Sequence, residues 1–107
     1  MRNILIIGSG GREHAIAWKL NQDDASNSIY CLPGNGGTVQ FAKNIDIDMN
    51  NFELIFNFVT KNNIDTIIVG PEGPLDKGIV DFFKDKNIRI FGPDKFASQL
   101  ESSKLFA

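Results

Sequence analysis

The segment Gly8-Ser9-Gly10-Gly11-Arg12-Glu13-His14 concentrates glycine, a cation, a carboxylate and the chain's single histidine next to one another. Glycines allow a ligand to approach the backbone closely. If a helix starts here, its unpaired N–H groups and its dipole favour an anion such as phosphate. A plain strand-to-helix turn uses the same Gly-x-Gly pattern, so the loop alone leaves both readings open. A dinucleotide fits poorly. The G-x-G-x-x-G fingerprint asks for glycine where Glu13 stands, and a carboxylate there repels a pyrophosphate. The second strand read below ends in Cys31-Leu32-Pro33, where a dinucleotide fold places an Asp or Glu for the ribose hydroxyls. Both departures weigh against NAD. The Arg12-Glu13 pair suits a smaller ligand with hydroxyl or amine donors and one phosphate.

Such a loop needs rigid elements around it, and the apolar pattern supplies them. Ile4-Leu5-Ile6-Ile7 reads as a buried strand ending at Gly8, and residues 12–21 as a helix carrying Ala15, Ile16, Ala17, Trp18 and Leu20. Residues 28–32 read as a second strand stopped by Pro33-Gly34, and Asn44 to Asp48 alternates as a short, half-exposed strand. Asn50 and Glu53 have capping-box spacing before a helix whose Phe52, Ile55, Phe56 and Val59 share one face. Thr66–Val69 reads as another buried strand, and Leu75, Ile79, Phe82 and Phe83 line the next helix. Ile88–Phe91 is the last strand, after which Asp94 can cap a helix carrying Phe96, Ala97 and Leu100. This alternation predicts an α/β fold, a Rossmann-like, doubly wound parallel sheet with helices on both faces. Its carboxyl-end loops, Gly8–Glu13, Pro33–Gly37, Gly70–Pro74 and Gly92–Pro93, fall on the edge where open α/β sheets bind ligands.

Composition narrows the function classes. A chain of 107 residues makes one domain, read as residues 1–107. A net charge of −2 offers no basic surplus for nucleic acid. No apolar run approaches a membrane span or a signal peptide, and Cys31, the single cysteine, permits no intrachain disulfide. These features predict a cytoplasmic protein. The chain finishes in apolar Leu105-Phe106-Ala107 without a Gly or Pro stop, as either a docked terminal helix or a chain cut before a following domain.

The opening Ile6–Leu20, with its Gly-Gly-Arg-Glu-His core, resembles the start of the phosphoribosylamine–glycine ligase family. Pro33-Gly34-Asn35-Gly36-Gly37-Thr38 is similar to the family's Pro-Gly-Asn loop, with Gly36 where alanine is usual. Val69-Gly70-Pro71-Glu72-Gly73-Pro74-Leu75 is similar to its Gly-Pro-Glu loop, with Gly73 where alanine is common. Phe91-Gly92-Pro93 and the stretch from Gln99 to Ala107 resemble the lead into its next domain. The resemblance spans essentially the whole chain.

That resemblance implies the amino-terminal domain, of the type that precedes an ATP-grasp module, of an enzyme of purine biosynthesis. The family joins glycine to 5-phosphoribosylamine with ATP and magnesium, forming glycinamide ribonucleotide through an acyl phosphate of glycine. The ATP, metal and catalytic parts belong to later domains absent from this chain. The chain is therefore expected to hold no cofactor or metal, to carry no catalytic residue and to be inactive alone. Its implied partners are the small-molecule substrates and the remaining domains of the same enzyme. The substrate-binding residues expected are Gly10, Gly11, Arg12, Glu13, Asn35, Gly70, Pro71 and Glu72. Gly10 and Gly11 would offer backbone N–H groups, and Glu13 would accept from the sugar or amine. Arg12 would either pair with a phosphate or orient Glu13. Asn35 would bind ligand or hold its own turn. Glu72 would accept from ribose hydroxyls. His14 is expected to be a helix-end packing residue, Cys31 a buried strand residue, Trp18 and the helical phenylalanines core, and Lys84-Asp85-Lys86 a solvated helix end. The competing readings are a free-standing sugar-phosphate- or mononucleotide-binding module and an NAD-binding redox domain.

Overall fold

A strand that is apolar at every position must be covered on both faces. In the computed structural model, which describes residues 2–24, 27–34, 37, 42–70, 74 and 78–92, Ile4–Ile7 lie within β1 (Asn3–Gly8) and are wholly buried. Among the described residues β1 is the middle strand of a five-stranded sheet ordered β3-β2-β1-β4-β5. The others are β2 (Ser28–Pro33), β3 (Lys43–Asn44), β4 (Thr66–Val69) and β5 (Arg89–Phe91), and every pairing is parallel. Helices α1 (Gly11–Asp23), α2 (Phe52–Lys61) and α3 (Ile79–Phe83) lie in the connections. The Rossmann-like, doubly wound parallel sheet expected from the sequence is the fold observed.

Strand alternation sorts the core into two layers. Ile4 and Ile6 pack with Ala17 and Leu20 of α1 and with Ile29, Cys31, Ile68 and Phe91. Leu5 and Ile7 face the other way, onto Ile55 and Val59 of α2 and Ile79 and Phe83 of α3. Each fully buried Ile or Leu stabilises the fold by about 1.5–3 kcal/mol relative to exposure. The sheet therefore cannot slip register without turning one layer's side chains into the other.

Helix α2 is closed at one end by a side chain and at the other by a backbone turn. Asn51 caps it, accepting from the Leu54 N–H at 3.2 Å. The sequence places the cap at Asn50, one residue earlier, but the Asn50 N–H donates instead to Asp48 Oδ1 at 2.9 Å. At the other end Asn63 takes φ 55°, and the Ile64 N–H reaches the Val59 carbonyl at 3.0 Å. That is the Schellman arrangement, with Asn in the left-handed position and the apolar pair Ile64 and Val59 buried beneath it.

Other expectations shift. The third strand is Lys43–Asn44 rather than 44–48. After Ile45 donates to the Cys31 carbonyl at 2.7 Å, the Ile47 N–H turns back to Ile45, which ends the ladder. Trp18 is not core but 48% exposed, because the buried stripe of α1 runs through Glu13, Ala17 and Leu20. Lys86 is no freely solvated lysine: its Nζ stands 4.5 Å from the Phe82 ring centroid and 5.4 Å from that of Phe56. Cys31 is buried as expected. Leu75 and the helix expected after Asp94 lie outside the described residues.

Candidate functional site

The strand order carries a crossover. From β1 the chain steps outward through β2 and β3, then returns to the other side of β1 for β4 and β5. Connections diverge from the carboxyl ends of β1 and β4, and this leaves the crevice where open α/β sheets take ligands. Gly8 ends β1 and Gly70 follows β4, so both lie at that crevice.

Glu13 fills the space between them. An ideal Cβ on Gly8 would collide with the Glu13 carboxylate, and one on Gly70 would lie 2.6 Å from Glu13 Cδ. Glu13 is only 7% exposed, an unusual position for a carboxylate. Its place in the helix explains how it is held. Gly10 is the N-cap of α1 and Glu13 is the third helical residue, so its side chain reaches back to accept from the Gly10 N–H at 3.1 Å. The positive end of the helix dipole stabilises the charge there. Gly8, at φ +140°, supplies a backbone conformation that side-chain-bearing residues rarely adopt. Glycine at 8 and 70 thus makes room for a buried acid. Among the described residues the second carboxylate oxygen has no protein partner, and no buried side-chain oxygen is left unpaired. That oxygen therefore opens to the crevice.

The crevice is a cleft of about 540 Å³ lined, among the described residues, by Ser9, Gly10, Gly11, Arg12, Glu13, Met49 and Gly70. Five residues singled out from the sequence, Gly10, Gly11, Arg12, Glu13 and Gly70, meet here. Asn35, Pro71 and Glu72 lie outside the described residues. Gly10 differs from its expected role, because its N–H is engaged by Glu13 and not offered outward. The first-turn amides of Gly11 and Arg12 have no intrahelical acceptor. Arg12 is exposed and makes no ion pair with Glu13 among the described residues, so the Gly10 amide and the helix end orient the acid, not the guanidinium. Gly11 is not required by sterics, since a Cβ there would meet nothing within 4 Å.

Sequence reasoning missed Met49 and gave Ser9 no role of its own. Met49 was findable by topology, since the β3–α2 loop opens on the same sheet edge as the glycine loops. The His14 ring lies against Gly37, where an ideal Cβ would come within 2.7 Å of it. The described residues contain no group of three or more His, Cys, Asp or Glu able to hold a metal ion. They also include no helix long and apolar enough to cross a membrane.

Comparison with known proteins identifies the family. Residues 2–101 match the family model described as phosphoribosylglycinamide synthetase, N domain. Phosphoribosylamine–glycine ligase of Clostridium acetobutylicum is 53% identical over 104 residues, 97% of this chain and 25% of that protein. The enzyme of the same name from Pseudomonas aeruginosa is 50% identical over 106 residues, 97% of this chain and 24% of its own length. The crystal structure of phosphoribosylamine–glycine ligase from Thermotoga maritima superposes with a TM-score of 0.50 at 27% identity, covering 97% of this chain and 22% of that one. A dTDP-glucose 4,6-dehydratase from Bacillus anthracis, solved in complex with NAD, superposes at TM-score 0.69 with 15% identity over 86% of this chain and 37% of its own, a likeness of fold alone. The chain spans about a quarter of the length of the ligases it matches. It belongs to the phosphoribosylglycinamide synthetase N-domain family.

Proposed function

We propose that this N domain holds the sugar-phosphate substrate of a phosphoribosylamine–glycine ligase, presenting 5-phosphoribosylamine to domains that lie elsewhere in the enzyme. The observation that carries the reading is the buried Glu13 carboxylate at the sheet crossover, with one oxygen tied to the Gly10 N–H and the other open to the cleft. A buried acceptor of this kind suits an amine or hydroxyl donor and opposes a pyrophosphate. The phosphate of the substrate then sits away from Glu13, on the first-turn amides of Gly11 and Arg12 and on the exposed Arg12 guanidinium. Gly70 keeps the wall beside Glu13 thin. Asn35, Pro71 and Glu72 are assigned to substrate binding on the family resemblance of their loops, with Glu72 as the acceptor for the ribose hydroxyls.

In the full-length enzyme ATP and magnesium supply the activation of glycine. No residue of this chain is assigned to either, and the chain alone is predicted to form no glycinamide ribonucleotide. The test is an NMR titration of the labelled chain with glycinamide ribonucleotide, using NADH as the control. Selective shifts at Gly11, Arg12 and Glu13 with the ribonucleotide, and none with NADH, are the expected result. Shifts produced by NADH alone would overturn the reading and return the dinucleotide one.

A further inference from the structure

We infer that Met49 is the specificity-determining wall of this cleft, the surface on which the apolar C–H face of a furanose ring rests. The inference rests on the sugar-phosphate reading above and adds which face of the ligand the chain recognises, and with which residue.

Among the described lining residues Met49 is the one apolar side chain; the rest are glycine, Ser9, Arg12 and Glu13. The cleft is therefore two-sided. One side offers the Glu13 acceptor and the amides at the start of α1. The other offers a thioether. A furanose has that same division, with hydroxyl or amine donors at its edge and carbon-bound hydrogens on its face. A free phosphate has no apolar face to place.

Met49 is also held where it can act. Asp48 on one side of it accepts from the Asn50 N–H at 2.9 Å through its carboxylate, and from the Asn51 N–H at 2.9 Å through its carbonyl. The loop that presents Met49 is thus tied off immediately before α2. The residue itself is half-buried, packed against the layer that contains Ile55 and Val59 while still lining the cleft. Methionine is unbranched and polarisable, which suits contact with a ring of C–H groups. An isoleucine core position would explain the packing but not the cleft-facing part of the side chain.

The sequence contains only two methionines, Met1 and Met49, so a chain labelled with methyl-13C methionine reports this wall directly against an internal reference. Titration with glycinamide ribonucleotide, with ribose 5-phosphate and with inorganic phosphate separates ring contact from anion contact. The Met49 methyl is expected to move with both sugar ligands and to stay in place with inorganic phosphate. The Gly11 and Arg12 amides are expected to move with all three. If those amides respond to the ribonucleotide while the Met49 methyl does not, the inference is overturned and the sugar-phosphate site stands. If no cleft amide responds to any of the ligands, the functional reading fails and takes the inference with it. Variants give a second measure: Met49→Leu keeps ribonucleotide affinity within about twofold, and Met49→Gln weakens both sugar ligands about fivefold while leaving phosphate unchanged. An equal loss for sugar and phosphate in Met49→Gln would mean that the residue only supports the loop, and would overturn the inference.

Discussion

Replacing Gly70 by alanine tests whether Glu13 is wedged at the crossover. The added Cβ would lie 2.6 Å from Glu13 Cδ, 2.8 Å from Oε2 and 3.0 Å from Cγ. The backbone cannot retreat, because the Gly70 N–H extends the sheet by donating to the Ile7 carbonyl at 2.9 Å. The acid must then swing out, losing its hydrogen bond to the Gly10 N–H, or remain and be overpacked. Overpacking costs about 1–3 kcal/mol, and loss of a charge-assisted hydrogen bond costs about 1.5–3 kcal/mol. Gly70 does not have a positive φ, so alanine is conformationally allowed and recovers about 0.4–1 kcal/mol through the unfolded chain. The net loss is about 0.5–2.5 kcal/mol, a fall in Tm of about 2–20 °C for a domain of this size. Urea unfolding followed by circular dichroism measures it. In a Glu13→Ala background the same Gly70→Ala change is expected to be neutral or slightly stabilising, a coupling of at least about 1 kcal/mol. Gly8→Ala is the control: its φ of +140° keeps it costly in both backgrounds. Gly70→Ala within about 0.5 kcal/mol of the parent, or equally costly with and without Glu13, would refute the wedge.

Three further outcomes follow from the same geometry. Gly11→Ala, whose Cβ meets nothing, is expected to raise stability by about 0.5–1 kcal/mol while weakening ribonucleotide binding in the NMR titration; a gain in both would remove Gly11 from the site. Asn51→Ala removes the α2 cap and is expected to cost about 1 kcal/mol in urea unfolding, whereas Asn50→Ala costs less, the reverse of the order that capping-box spacing predicts. Phe83→Ala empties a fully buried position and is expected to cost about 3–5 kcal/mol, while Trp18→Gln costs under about 1 kcal/mol; comparable losses in a thermal melt would return Trp18 to the core.

The sheet was legible because its two central strands carry short, wholly apolar runs. Ile4–Ile7 and Ile67–Val69 read as covered parallel strands, and the layers follow from residue alternation. Legibility faded where tertiary position overrules residue type. Trp18 is large and apolar, yet the face of α1 that meets the sheet is fixed by Ala17 and Leu20, which are small or compact enough to approach it closely. A charged residue takes the remaining place on that buried stripe, and hydropathy alone points the other way. The cap of α2 moved by one residue because Asn50, Asn51 and Asp48 can all serve as turn or cap residues, and only the direction of the incoming chain selects among them. Asn63 at the other end was invisible for a related reason, since its left-handed conformation belongs to the Schellman turn and not to any pattern along the chain. Of the expected site, the glycine loop and Gly70 converge as read, whereas Met49 joins them only once the β3–α2 loop is placed on the same edge.

The glycine loop also shows why fold and site have to be argued separately in this architecture. The dehydratase solved with NAD shares the fold at 15% identity, so the sheet alone does not tell a dinucleotide site from another kind. In a dinucleotide site a glycine at the sixth fingerprint position lets the helix close on the strand and leaves the helix start to the pyrophosphate. Here Glu13 occupies that position, and it alters the crevice in three ways at once. Its carboxylate takes the Gly10 N–H, removing a donor that a pyrophosphate would use. Its charge stands at the crossover, where a second phosphate would have to lie. Its bulk needs glycine on both flanks, at Gly8 and Gly70. The last requirement ties a residue at the start of α1 to one after β4, more than fifty positions along the chain. The pairing of Glu13 with Gly70 is therefore a stronger mark of this kind of site than the Gly-x-Gly loop, because a tight turn explains the loop but nothing about the turn explains the distant glycine.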